Sequence, residues 1–141
     1  MKTITNAALA TTLLAGMFLV AVVPGAQAKS KVCSNATLSG QYSAVLTGTV
    51  NGLPFAALDI VISDGSGNIS GSGTIVVNGS VMPTSFTAAY TVNADCTGSF
   101  VSSSGTTENL TISLDGRDVQ FILTGTPLGP ATVTGVAKTL N

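Results

Sequence analysis

In 141 residues the chain carries five Lys or Arg against six Asp or Glu, and it has no His and no Trp. A net charge of −1 with no basic patch excludes the phosphate grip that nucleic-acid binding needs. The absence of His removes the usual base of a nucleophilic triad and the commonest partner of Cys in a metal centre.

Charged residues make up 8% of the chain, against about a quarter in ordinary soluble domains. Ser, Thr, Asn and Gly must therefore keep the surface hydrated, which suits an exported β protein better than a cytosolic enzyme. The amino terminus agrees. Lys2 supplies a positive start, residues 7–23 form an apolar run broken by Pro24 and Gly25, and Ala26-Gln27-Ala28 is a small-x-small cleavage site. The run is shorter than the ~20 apolar residues of a membrane span, and Thr11, Thr12 and Gly16 interrupt it. The expectation is a cleaved signal peptide at 1–28 and a single β domain at 29–141, with no transmembrane segment in the mature chain and a secreted or periplasmic, bacterial location.

The mature chain then alternates. Leu38, Gly40, Tyr42, Ala44 and Leu46 share one side of a first strand over 36–50, and Asn51-Gly52 is a hairpin turn tolerant of positive φ. In the second strand, 55–63, Leu58, Ile60 and Ile62 form the heavier apolar side, opposite Phe55, Ala57, Asp59 and Val61. A turn at 64–68 leads to a third strand over 69–78, in which Gly71 and Gly73 thin one face. Residues 78–83 turn the chain into the 85–98 stretch, where Phe86, Ala88, Tyr90 and Val92 face one way and the run ends around Cys96. Short strands follow at 99–103, 107–114 (Leu110, Ile112 and Leu114 together), 118–124 (Val119, Phe121 and Leu123 inward) and 131–138.

Eight strands joined by short turns predict an all-β domain, an eight-stranded antiparallel up-and-down barrel with a two-sheet sandwich as the alternative. Pairing of the first strand with the last distinguishes them. Cys33 and Cys96 are the two cysteines, and in an exported domain they are expected to form one structural disulfide.

Three segments resemble an uncharacterised group of bacterial secreted small β proteins: Cys33-Ser34-Asn35-Ala36-Thr37-Leu38-Ser39-Gly40-Gln41-Tyr42, Asp64-Gly65-Ser66-Gly67-Asn68, and Tyr90-Thr91-Val92-Asn93-Ala94-Asp95-Cys96-Thr97-Gly98. The resemblance spans nearly the whole mature chain and implies an exported β fold without implying an activity. A more distant similarity, in strand count alone, is to lipocalin-like and allene-oxide-cyclase-like barrels.

Candidate sites are few. Asp64, Ser66 and Asn68 have the first three spacings of a calcium loop, but Ile69 and Ile75 stand where that loop needs Gly and Glu, so the segment reads as a turn. Tyr42 and Tyr90 fall on inward faces, where each phenol needs a partner or an opening. Asp59 depends on the phase of its strand. The heavier face, Leu58, Ile60 and Ile62, is expected to point inward, which places Asp59 outside as an edge-protecting charge. With the phase reversed, it becomes an ionisable group in an apolar interior and the leading functional residue.

No catalytic, metal or cofactor-binding set is expected, and the protein is read as a non-enzyme. Strands apolar on both faces at 58–62 and 75–77 favour a structural or surface-associated protein acting by homo-oligomerisation or contact with extracellular matrix. The alternative is a barrel binding a small apolar ligand, for which Tyr42, Tyr90 and Asp59 are the candidate contacts. An enzyme using Asp59 and a tyrosine is the remotest reading.

Overall fold

The computed structural model describes residues 32–140; the leader expected at 1–28 lies outside them. Eight antiparallel strands follow one another around a closed barrel: β1 (Ser39–Val50), β2 (Leu53–Asp64), β3 (Asn68–Val77), β4 (Ser80–Val92), β5 (Thr97–Ser102), β6 (Thr107–Ile112), β7 (Asp118–Gly125) and β8 (Ala131–Thr139). Closure is made by β1 and β8, paired from Tyr42 opposite Thr139 to Val50 opposite Ala131. The sandwich alternative is thereby removed, since the first and last strands pair with each other instead of ending the sheet.

Short-range chemistry explains the hairpins. Asn51 and Gly52 both take positive φ (52° and 75°), as do Asn78 and Gly79 (48° and 82°), the backbone that a two-residue turn between twisted strands requires. The second of these turns is tighter than the 78–83 segment read from sequence, and β4 already begins at Ser80. Between Ser80 and Thr87 β4 has a ladder partner in β3 only, because β5 pairs with Ala88 to Val92. Pro83, which has no N–H to give, sits in this half-paired stretch.

Two elements differ from the periodicity. The first strand does not begin at 36; Asn35–Thr37 is a single 3₁₀ turn that folds across one end of the barrel. The sixth strand stops at Ile112, so Leu114 lies in the following turn and is exposed.

The first end of the barrel is plugged. The Cys33–Cys96 disulfide, with Cα atoms 5.0 Å apart, ties the segment before β1 to the β4–β5 turn. The buried Leu38 side chain fills the opening from below. Its carbonyl accepts hydrogen bonds from Ser63 Oγ (2.6 Å) and Tyr90 Oη (2.8 Å), while Asn35 Oδ1 accepts from Val92 N (2.8 Å). Around this plug Tyr42, Tyr90, Val92, Leu110, Ile112 and Val119 form the packed core.

Candidate functional site

Above the plug the lumen is not filled. A cavity of about 310 Å³ runs from Leu38 and Tyr42 to Leu128 in the β7–β8 loop. This is near the lower limit of small-molecule pockets. Its walls are mainly aliphatic and aromatic, with Phe86 and Phe100 meeting edge to face at 6.0 Å between centroids. Room arises where glycine replaces a side chain on the inner wall. A methyl on Gly71 would strike the Phe86 ring, and a methyl on Gly73 would strike Asp59 Oδ1 and the Leu58 carbonyl. The two glycines read as a thinned face thus let an aromatic ring and a carboxylate lie flat against β3. Ser102, Ser104 and Thr106 from the β5–β6 hairpin, with Thr84 and Ser85 of the half-paired stretch of β4, add hydroxyls to the lining.

Asp59 is inside. The expectation that Leu58, Ile60 and Ile62 face the core is overturned. They are 57%, 38% and 53% exposed on the outer wall, whereas Ala57 and Asp59 are each 6% exposed. The reason is steric. Asp59 stands between Ala44 of β1 and Gly73 of β3 in the register, and these short neighbours leave room for an inward side chain. Asp59 Oδ1 is buried without a hydrogen-bond partner, and burial pushes this carboxyl above its ordinary range.

A second carboxyl faces the same cavity. Glu108 of β6 is in phase with the buried Leu110 and Ile112 and lines the lumen, four strands round the barrel from Asp59. A register shift at Thr107 and Glu108, where β7 contributes one extra residue, aims this end of the strand. Burial first, and the Asp59 charge second, push Glu108 up to about 7. Glu108 is not among the candidates read from sequence, because it stands at the start of its strand beside a turn. Counting back by two from Leu110 would have found it.

The tyrosines point inward as expected, but their hydroxyls serve the plug. Tyr42 Oη donates to the Gly116 carbonyl (2.9 Å), with Ser39 O a longer contact at 3.4 Å. Tyr90 Oη lies 2.9 Å from Asn35 O and 2.8 Å from Leu38 O. The Tyr42 ring lines the cavity, and burial raises its phenol further above the usual value. Tyr90 does not reach the lining. Asp59 and a tyrosine hydroxyl therefore do not converge into an acid–base pair.

Asp64 turns on itself. Its Oδ1 accepts from Ser66 N (2.7 Å) and Asn68 N (3.0 Å), and its Oδ2 accepts from Asn68 Nδ2 (2.7 Å). The Asn68 amide above all, then the backbone N–H groups, hold this carboxylate down at about 2. The loop's own donors thus occupy the oxygens that a calcium ion would need. No protein-family model, curated protein or solved structure matches the chain.

Proposed function

We propose that this is an exported, non-enzymatic barrel that holds a small, mainly apolar molecule in its lumen. The observation that carries the reading is the cavity of about 310 Å³ between the plug and the far loops, walled by Leu, Ala and Phe side chains. The Cys33–Cys96 disulfide supports an oxidising compartment, and the three resembling motifs support a bacterial origin. No constellation among the described residues pairs a nucleophile with a base, which is why binding is preferred to chemistry.

The reading is tested with N-phenyl-1-naphthylamine, an uncharged apolar dye that brightens on leaving water. The expected result is saturable binding of one dye per folded chain, abolished by Ala57→Phe, which fills the lumen, and retained by Leu58→Phe on the outer wall. Circular dichroism establishes that both variants fold. Absence of saturable binding to the folded wild-type protein would overturn the reading, as would equal loss in the two variants.

A second reading, self-association, is favoured by a separate feature. Leu58, Val45 and Val136 are exposed on β2, β1 and β8 and lie opposite one another in the register, an apolar row across three strands with no charge in it.

A further inference from the structure

The apolar cavity contains two features that an apolar ligand does not explain. Asp59 and Glu108 are two carboxyls on opposite walls of one lumen, and the lining holds no Lys or Arg. The ion pairs among the described residues, Arg117 with Asp115 and Lys138 with Asp118, are exposed at the plugged end. Asp59 Oδ1, in a residue 94% buried, has no donor facing it. A buried acceptor without a donor costs free energy that an apolar residue of the same size would not. Gly73 leaves the space in which this carboxylate lies.

From these observations we infer that the lumen is built for a molecule with an apolar body and a protonated amine, the amine donating to Asp59 while the Glu108 carboxylate across the lumen adds to its attraction. This deepens the proposed function and rests on it. An ammonium carries three donors and no acceptor, so it complements the one unmet buried group of the lumen among the described residues, the acceptor Asp59 Oδ1. Its positive charge also offsets the mutual repulsion of the two carboxylates, and that repulsion together with burial raises the proton affinity of Glu108. The apolar walls take the body of the molecule, Phe86 and Phe100 included. A divalent metal fits less well. Calcium takes six to eight oxygens, and here the two carboxyls stand apart among aliphatic and aromatic side chains. The titratable groups of the lining are Asp59, Glu108 and Tyr42, and the Tyr42 hydroxyl is already committed to Gly116.

The test compares octylamine, 1-octanol and octanoate, three probes with the same chain and different heads, by titration calorimetry at about pH 8, above the value of about 7 to which Glu108 is raised. Octylamine is expected to bind at least about tenfold tighter than 1-octanol, the equivalent of one charge-assisted hydrogen bond, and octanoate weakest. In Asp59→Asn/Glu108→Gln the advantage of octylamine over 1-octanol is expected to vanish while 1-octanol binding persists. Attraction of the amine to the exposed acids at the plugged end would survive this double substitution, so a retained advantage overturns the inference. Equal binding of octylamine and 1-octanol to the wild-type protein also overturns it, leaving the apolar-binding function intact. Failure of all three probes to bind overturns that function itself. Asp59→Asn alone provides the same comparison should the double variant not fold.

Discussion

Asp59 and Glu108 place the lumen under the control of protons. Both carboxyls are raised by burial, Glu108 from 4.5 to about 7. Over that window the folded protein holds a proton that the unfolded chain has released, so stability falls as pH rises from 4.5 through 7. Glu108 accounts for a change on the order of 3 kcal/mol. Asp64, Asp95 and Asp115 act in the opposite sense. Their carboxylates are lowered by bonds within their own turns, so what they contribute is lost as pH drops below the ordinary carboxylate range. The melting temperature should therefore peak on the acid side of neutrality, near pH 5, and decline toward pH 8. Scanning calorimetry across that range should show a much flatter alkaline limb for Glu108→Gln. An unchanged limb would mean that Glu108 ionises freely in the folded state.

At the scale of the element, β2 is the instructive strand. From 55 to 62 it is apolar on both faces, so a period of two identifies two sets of residues without saying which is inside. Ranking them by bulk points to Leu58, Ile60 and Ile62, and the barrel chooses the other set. A closed eight-stranded wall is only wide enough for side chains to fill or for one small ligand, and Ala57, Asp59 and Val61 leave that space. Elsewhere the alternation is legible because one face is plainly polar, as for Phe86 to Val92 and for Val119 to Leu123. The phase of β2 gives a direct check. Leu58→Ser should change the unfolding free energy by less than about 0.5 kcal/mol, whereas Leu110→Ala, in the packed core, should cost about 2–5 kcal/mol. Urea titrations compare the two. If self-association uses the row through Leu58, Val45 and Val136, Leu58→Ser should also lower the sedimentation coefficient at high protein concentration.

On the scale of the molecule, the disulfide joins two parts that hydrogen bonds alone hold less firmly. The link spans 63 residues, and closing such a loop removes chain entropy worth about 4 kcal/mol from the unfolded state. It also anchors the plug, since Cys33 N donates to Ala94 O and the 3₁₀ turn that follows carries Asn35 and leads to Leu38. Reduction, or Cys33→Ser/Cys96→Ser, should lower the urea midpoint by an amount matching a few kcal/mol. Amide exchange should rise first around 34–38 and 93–97, before the strands open. Uniform acceleration across all eight strands would show instead that the plug and the barrel open as one unit.

What the chain determines by itself is mostly local: where strands run and where Asn-Gly turns reverse them, with the two cysteines leaving a single possible disulfide. Strands and turns follow from backbone preferences that need no distant neighbours, and the disulfide follows from there being one partner for each cysteine. The tertiary structure decided whether the strands close, which face of β2 turns inward, and that Asp59 and Glu108 confront one lumen. These depend on the space left when eight walls meet, and no single strand encodes that space. The tyrosine hydroxyls show the same limit. Their inward direction was readable from alternation, but their partners, Gly116, Asn35 and Leu38, come from chain segments brought together only when the plug folds across the end of the barrel.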